Sequence, residues 1–134
     1  MFSYKRPIRL NDTDPAGVIF FARVYDIAHE AFESLLESFE YPIAEIINKS
    51  EIIYPLVSSS AKYKAPLRLG DKIDVKLQLD SITNSSFTIE YIFIKNGESC
   101  TSVSTTHVSI SKKSWEKVGI PEFFRKNLQS LQNM

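Results

Sequence analysis

The alternation of apolar and polar residues near the start of the chain predicts a half-buried strand. Over residues 2–10 the polar side chains of Ser3, Lys5 and Arg9 fall on one side of an extended chain, and a set of apolar side chains falls on the other. The apolar set is Phe2, Tyr4, Ile8 and Leu10. Pro7 marks an edge or an irregularity of this strand, because proline has no N–H to donate to a neighbouring strand.

A change of period from two to three or four residues predicts one long helix after the first strand. The apolar positions of this helix give it one broad buried face, and they are Val24, Ile27, Ala28, Ala31, Phe32, Leu35, Leu36 and Phe39. The opposite face is acidic, with Asp26, Glu30, Glu33 and Glu37. We interpret it as a solvated stripe rather than a metal site, because no His or Cys joins it at ligand spacing.

The rest of the chain predicts four more strands, which span residues 55–66, 72–81, 87–94 and 99–111. The segment 72–81 alternates most regularly, with Ile73, Val75, Leu77 and Leu79 inward. Asn96-Gly97 is a strong hairpin signal between the last two strands. A short helix or a helical turn is predicted over residues 43–49. A C-terminal helix is predicted to start at Ile120-Pro121-Glu122, with Pro121 in the first turn, and to continue to residue 132.

This order of elements predicts an α+β fold in a single domain over residues 1–134. Helical and strand segments are segregated along the chain, and 134 residues suffice for one hydrophobic core. The long helix has a broad apolar face and stands beside about five mainly antiparallel strands. We therefore expect the sheet to wrap around that helix.

Composition narrows the classes of function. Sixteen basic and sixteen acidic residues cancel, so the basic excess typical of a nucleic-acid binder is missing. Cys100 is the only cysteine, which excludes an intrachain disulfide and a cysteine-based metal site. No apolar run approaches ~20 residues, and the first ten residues are too charged for a secretory signal. We therefore expect a cytoplasmic protein without a membrane partner.

A turn with candidate chemistry separates the first strand from the long helix. Pro15 pushes Asp14 towards an extended conformation, and Gly17 allows a positive φ. Asp12 and Asp14 have two interpretations: they cap the helix, as such residues often do, or they form part of a site. The apolar run Val18–Phe21 suits either burial or the lining of a substrate pocket. Backbone N–H groups at a helix start can hold an oxyanion.

Histidines and small residues elsewhere leave alternatives open. His29, at the edge of the helix's apolar face, is a structural residue or a proton carrier. His107 lies in a strand among threonines and is more typical of a surface or hydrogen-bonded residue than of a catalyst. Ser58 and Ser59 leave room beside their strand, either for a packed helix or for a ligand.

The segment D-T-D-P-A-G, followed by an apolar run and the helix, resembles the hotdog-fold acyl-CoA thioesterases of the 4-hydroxybenzoyl-CoA thioesterase family. The resemblance covers roughly residues 2–111. Within that family it is strongest to the cyanobacterial 1,4-dihydroxy-2-naphthoyl-CoA hydrolases of phylloquinone synthesis. The segments that carry it are DTDPAGVIFF, HEAFESLL and PLVSSSAKYKAP, with the later Leu69-Gly70-Asp71.

The resemblance implies a hotdog fold and a set of site residues. Asp14 occupies the position of the family's catalytic carboxylate, and the backbone N–H near Phe21 occupies the position of the group that polarises the thioester carbonyl. The implied substrate pocket contains Gly17, Val18, Ile19 and Phe20, and we place Ser58 and Ser59 in it as well. Glu30 and Glu33 are weak alternatives to Asp14, because one branch of the family uses a glutamate on the long helix.

The resemblance also implies an assembly. Relatives pair two subunits so that their sheets join and the sites lie at the interface, which implies a dimer or a dimer of dimers. Some relatives hold the CoA phosphates with cations after the third strand, but residues 81–87 contain neither Lys nor Arg. The cations available elsewhere are Lys62, Lys64, Arg68, Lys112 and Lys113. No metal is implied, and no cofactor beyond the CoA that forms part of the substrate.

The expected function is hydrolysis of an aromatic acyl-CoA thioester, with 1,4-dihydroxy-2-naphthoyl-CoA as the first expectation. Such hydrolysis needs a carboxylate, as nucleophile or general base, and donors for an oxyanion. A serine-hydrolase elbow, a phosphate-binding glycine loop and a dinucleotide fingerprint are missing from the sequence. The alternatives are a thioesterase for short- or medium-chain or 4-hydroxybenzoyl groups, and a non-catalytic acyl-CoA binding module.

Overall fold

The computed structural model describes residues 1–132, which form three α-helices and seven strands. The helices are α1 (Arg23–Ser38), α2 (Ile43–Lys49) and α3 (Glu122–Gln129). The strands are β1 (Phe2–Pro7), β2 (Ile52–Ile53), β3 (Leu56–Tyr63), β4 (Lys72–Ile82), β5 (Ser86–Lys95), β6 (Glu98–Val108) and β7 (Ile110–Ser111). The last two positions of the domain predicted over 1–134 lie outside the described residues.

The main sheet has five antiparallel strands in the order β1-β4-β5-β6-β3. This confirms the α+β prediction of an antiparallel five-stranded sheet. The sequence order is broken once: β3 pairs with β6 at the far side of the sheet and not with β4, the next of these strands along the chain. The two edges of the sheet are therefore β1 and β3, and β3 is exposed at every residue except Ala61.

Helix α1 packs its apolar face against one face of this sheet. Its buried residues are Val24, Ile27, Ala28, Ala31, Phe32, Leu35 and Leu36, and they share one core with the inward residues of β4 and β5. The helix begins and ends one residue before the predicted bounds. Cys100 of β6 is fully buried in the same core.

The acidic face of α1 is less uniform than the sequence predicted. Glu30 is only partly solvated, with a side chain that is 40% exposed. Its carboxylate accepts a hydrogen bond from the Tyr4 hydroxyl at 2.9 Å. It also pairs with the Arg6 guanidinium at 3.0 Å. The helical period assigned Glu30 to the outer face correctly, but the neighbouring strand β1 reaches around to that face.

The ends of two strands also differ from the prediction. β1 ends at Pro7, and Leu10, which we expected to face inward, starts a short 3₁₀ helix and is 76% exposed. The last predicted strand breaks at Ser109, after which β7 turns away to pair with β2 in a separate two-stranded sheet. The alternation rule misses both changes, because a break in strand pairing leaves the apolar pattern intact.

The hairpin and the C-terminal helix follow the sequence. Asn96 and Gly97 both adopt positive φ between β5 and β6, as a tight two-residue hairpin turn requires. Helix α3 closes one end of the core by inserting Phe124, whose ring lies 4.9 Å from that of Tyr54 and 5.4 Å from that of Phe87. Among residues 1–132, the model contains no helix with the length and apolar character that crossing a membrane requires.

Candidate active site

The segment between β1 and α1 folds into a narrow loop held by its own backbone. The Asp14 N–H donates to the Val18 carbonyl at 2.9 Å, and the Phe20 N–H donates to the Asp12 carbonyl at 2.9 Å. Thr13 and Ile19 face each other as an antiparallel bridge between these two bonds. Residues 12–20 therefore form a small hairpin, which we call the site loop.

A glycine allows the tip of the site loop to turn. Gly17 has a φ of +78°, in the left-handed region where a side chain strains the backbone. Its N–H donates to the Asp14 carbonyl at 2.9 Å and closes the turn over Pro15. The positive φ expected at Gly17 is confirmed, and the turn brings Asp14 beside Val18.

The Asp14 carboxylate is held at the inner side of this turn. Its Oδ1 accepts hydrogen bonds from the Ala16 N–H at 2.8 Å and the Val18 N–H at 3.3 Å. Within residues 1–132, Oδ2 accepts no hydrogen bond, and the residue is partly exposed. One oxygen therefore fixes the orientation of the carboxylate and leaves the other available for chemistry.

The interpretation that Asp12 and Asp14 cap the long helix is wrong. The residue before α1 is Ala22, and no side chain makes a capping hydrogen bond to it. Asp12 is instead buried and forms ion pairs with Arg6 and Arg23. The cap signal failed because Val18–Ala22 separate these carboxylates from the first turn of α1.

The backbone at Phe21 presents an N–H group beside the loop. The N–H groups of Phe20 and Arg23 donate to backbone carbonyls, whereas those of Phe21 and Ala22 have no acceptor among residues 1–132. The Phe21 carbonyl accepts a hydrogen bond from the Tyr63 hydroxyl at 3.2 Å. Burial, and then the nearby Tyr25, raise the pKa of Tyr63, which keeps this hydroxyl a donor. The Tyr63 hydrogen bond therefore fixes the peptide unit that joins Phe21 to Ala22, and the Phe21 N–H lies in the preceding unit.

An apolar cleft of about 340 Å³ adjoins these groups, between the start of α1 and the end of β3. Val18, Ile19 and Phe21 line one wall. Tyr63, Lys64 and Leu67 belong to the opposite wall. We call it the first cleft; its size is within the range of small-molecule sites. Val18 joins it to Asp14, because the Val18 N–H is bonded to the carboxylate.

A second cleft of about 330 Å³ lies at the other end of β3, against the middle of α1. Its lining includes His29, Glu33, Leu56 and His107. His107 is buried, stacks on Phe32 at 4.8 Å, and has both ring nitrogens in hydrogen bonds. Burial lowers its pKa to about 4, against a weaker opposite effect of its bond to the Tyr54 carbonyl. His107 is therefore a neutral, hydrogen-bonded core residue, one of the two roles we expected for it.

The other residues predicted for the substrate pocket do not all line one cleft within a single chain. Val18 and Ile19 line the first cleft, Phe20 is exposed beside it, and Gly17 lies at the loop tip. Ser58 and Ser59 are exposed on the edge strand β3, between the two clefts and in neither lining. Their role in a pocket stays a prediction.

Two groups of residues near the site were not identified as such from the sequence. Tyr63 and Leu67 in the wall of the first cleft were not singled out, and Lys64 was only one of five available cations. The ion pair between Arg6 and Asp12 beneath the loop was also missed. Among the residues that the model describes, no three His, Cys, Asp or Glu side chains gather as metal ligands.

Comparison with known proteins finds a family match over most of the chain and relatives of similar sequence. Residues 8–128 match the family model described as the thioesterase-like superfamily. A 1,4-dihydroxy-2-naphthoyl-CoA hydrolase from Prochlorococcus marinus (strain NATL2A) is 36% identical over 123 residues, which covers 87% of this chain and 79% of the relative.

Solved structures of similar proteins have the same fold. A 1,4-dihydroxy-2-naphthoyl-CoA thioesterase from Synechocystis superposes with a TM-score of 0.90 at 29% identity, covering 98% of this chain and 97% of its own. A gentisyl-coenzyme A thioesterase superposes with a TM-score of 0.84, also at 29% identity, covering 92% and 99%. Both similarities extend over more than nine tenths of each chain.

Proposed function

This chain belongs to the thioesterase-like superfamily, and on that premise we propose that it hydrolyses 1,4-dihydroxy-2-naphthoyl-CoA to 1,4-dihydroxy-2-naphthoate and CoA, as in phylloquinone biosynthesis. Two findings support this substrate. A relative that is 36% identical is named for this hydrolysis, and so is a solved structure that superposes over nearly the whole chain.

One observation in the site supports thioester hydrolysis most directly. The Asp14 carboxylate is bonded to the N–H of Val18, and Val18 lines the same apolar cleft as Phe21. The Phe21 N–H has no acceptor within residues 1–132. Phe21 therefore lines the cleft with its backbone donor, and the Asp14 carboxylate lies one hydrogen bond behind Val18 in the same lining. A carboxylate and a backbone donor are the two groups that cleavage of a thioester carbonyl requires.

The reaction follows from these two groups. The Phe21 N–H donates to the thioester oxygen and stabilises the negative charge that develops there. Asp14 either takes a proton from the attacking water or attacks the carbonyl carbon itself to give an anhydride that water then cleaves. In both routes the C–S bond breaks, the CoA thiolate leaves and takes up a proton, and one water is consumed. The two routes have the same products and use the same residue.

Lys64 is our candidate for contact with the CoA phosphates. It is exposed in the wall of the first cleft, among apolar residues such as Val18 and Pro66. An ammonium group at the rim of an apolar cleft suits an anionic substrate whose acyl end enters the cleft. Arg68 also lies near Asp14, because its backbone forms a bridge with Val18, but it is outside the lining of the first cleft.

We also propose that the active form is a dimer or a dimer of dimers. The exposed edge of β3 is open for pairing with a second copy. The first cleft lies at the Tyr63 end of β3 and the second at the Leu56 end. If two β3 strands pair antiparallel, the first cleft of one copy meets the second cleft of the other, and Ser58 and Ser59 lie between them.

The catalytic assignment is tested by Asp14→Asn. The asparagine Oδ1 keeps both backbone hydrogen bonds of Asp14, so the substitution removes the charge and little else. We expect kcat for release of CoA thiol to fall by about 10²- to 10⁴-fold, with an unchanged circular-dichroism spectrum. Asp80→Asn is the matched control, because Asp80 is exposed on β4 and takes no part in the site loop. Wild-type turnover in Asp14→Asn would refute the assignment.

The shared-site arrangement is tested by mixing two inactive variants. One variant carries Leu56→Trp, which fills the second cleft, and the other carries Asp14→Asn, which disables the site loop. Each substitution affects only the chain that carries it. In mixed dimers one of the two sites carries neither substitution, so random mixing restores about a quarter of wild-type activity. Mass spectrometry verifies that mixed dimers form. No recovery in verified mixed dimers, or full activity of Leu56→Trp alone, contradicts the arrangement.

A second candidate substrate is another hydroxylated aromatic acyl-CoA, which the likeness to a gentisyl-coenzyme A thioesterase favours. A thiol-release panel with naphthoyl, benzoyl and aliphatic CoA esters separates these candidates by kcat/KM. Saturable binding without thiol release from any ester would favour the non-catalytic binding module. A cytoplasmic location is also part of the proposal, because a chain with a single cysteine has no intrachain disulfide of the kind common in secreted proteins, and fractionation of cells tests it.

A further inference from the structure

A buried ion pair lies beneath the site loop, and the proposed chemistry does not use it. The guanidinium of Arg6 in β1 donates through Nη2 to Oδ2 of Asp12, and both side chains are at least 97% buried. Buried charges carry a large desolvation penalty, so a buried ion pair is weak evidence for stability alone. Its position therefore points to another role.

Arg6 connects three elements at once. Its Nε donates to the Pro7 carbonyl at 3.0 Å, which ties the side chain to its own strand. Its Nη1 reaches both carboxylate oxygens of Glu30 on α1, at 3.0 and 3.2 Å. The planar guanidinium is thus fixed by β1 and α1 before it meets Asp12. Asp12 is the contact through which this rigid group holds the site loop.

Asp12 lies at the base of the site loop and holds it through both its side chain and its backbone. Its Oδ2 also accepts the Arg9 N–H at 2.8 Å, and its backbone carbonyl accepts the Phe20 N–H at 2.9 Å. Phe20 directly precedes the open N–H of Phe21, and Asp14 lies two residues after Asp12. A shift of Asp12 therefore moves the carboxylate and the N–H donor relative to each other.

We propose that Arg6 and Asp12 are positioning residues, which set the separation between the Asp14 carboxylate and the Phe21 N–H without touching the substrate. This inference rests on the proposed function of these two groups. A displacement of about 1 Å at reacting groups lowers turnover by as much as 10²-fold. The ion pair therefore acts on the chemical step more than on substrate binding.

Two single variants and one double variant test the proposal. Asp12→Asn keeps the shape and removes the charge, and Arg6→Lys keeps the charge but lacks the guanidinium fork. We expect kcat to fall by about 10- to 100-fold, with KM changed by less than about threefold. The double variant Arg6→Gln/Asp12→Asn removes both charges, so it leaves no buried charge without a partner. It therefore tests the proposal even if a single variant does not fold.

A core variant supplies the matched control for lost stability. Phe124→Leu thins the packing of α3 on the core, away from the site loop. We expect it to lower the melting temperature while kcat stays at the wild-type value, measured where every variant is folded. If the Arg6 and Asp12 variants keep wild-type kcat while folded, or if Phe124→Leu loses as much kcat, the ion pair is only structural and the proposal is overturned.

Amide hydrogen exchange gives a readout that does not depend on activity. We expect Asp12→Asn to speed exchange at the N–H groups of Phe20 and Asp14, which close the site loop, and Phe124→Leu to leave them unchanged. Unchanged exchange at both groups in Asp12→Asn overturns the positioning role. If the wild type releases no thiol from any CoA ester, the proposed function fails, while the exchange result still decides whether the pair fixes the loop.

Discussion

Acidification should destabilise this protein through a single buried imidazole. The His107 ring packs against the rings of Phe32 and Phe87, with centroid distances of 4.8 and 5.1 Å, and the residue is only 3% exposed. Burial lowers its pKa from 6.5 to about 4, so the folded chain keeps the ring neutral at a pH where the unfolded chain protonates it. The unfolded state therefore binds the additional proton, and stability is lost as the pH falls from about 6.5 towards 4.

The size of this loss follows from the same shift. Each pKa unit corresponds to about 1.4 kcal/mol, so the shift to about 4 corresponds to about 3 kcal/mol of unfolding free energy across that window. Above about pH 7 the His107 ring is neutral in both the folded and the unfolded state, so through this residue the unfolding free energy no longer changes with pH. A domain of ordinary stability has ~5–15 kcal/mol in total, so the expected effect is large enough to measure.

Urea unfolding at several values between about pH 7.5 and pH 4.5 measures the effect, with His107→Gln as the comparison. Glutamine keeps hydrogen-bonding groups at this position but does not titrate. Every other titratable group is the same in the two proteins, so the difference between the two curves isolates His107. We expect wild-type stability to fall by about 2–3 kcal/mol more than that of the variant. Parallel curves would refute the claim that the folded state excludes the imidazolium.

Two further predictions concern the site loop and the cleft. Lys64→Ala should raise KM for the acyl-CoA by about tenfold, the size expected for one charge-assisted contact, and leave the KM of the matching acyl-pantetheine unchanged. Lys62→Ala is the control, and an equal effect on both substrates would exclude a phosphate contact. Gly17→Ala should lower the free energy of unfolding by about 1 kcal/mol, because its φ is +78° although no atom lies near the added Cβ. Gly119→Ala, which has no positive φ and only ordinary contacts, should not show this loss in urea unfolding.

The elements with a strong period were predictable from the sequence. α1 was placed to within one residue, because one face of a helix that packs on a sheet must be apolar over its whole length. The hairpin at Asn96-Gly97 was predictable because few residue pairs tolerate two positive φ values in succession. The motif around Asp14 placed the site loop through its resemblance to a family, rather than through its local pattern.

Contacts between distant segments were not predictable from local patterns. The pairing of β3 with β6 depends on how the sheet closes around α1, and no residue of β3 encodes its partner. Arg6 did leave a signal: it occupies an inward position of β1, between Tyr4 and Ile8, where a charge requires a buried partner. The identity of that partner, Asp12, became visible only with the fold.

The burial of Cys100 decides how cleanly catalysis by this protein can be observed. Thiol-specific dyes report every accessible sulfhydryl, and this polypeptide has one, sealed inside the core of the native state. Colour that develops in the cuvette therefore comes from the product and not from the catalyst, even at high protein concentration. The same shielding makes any cysteine engineered onto the surface a unique attachment point for a spectroscopic label.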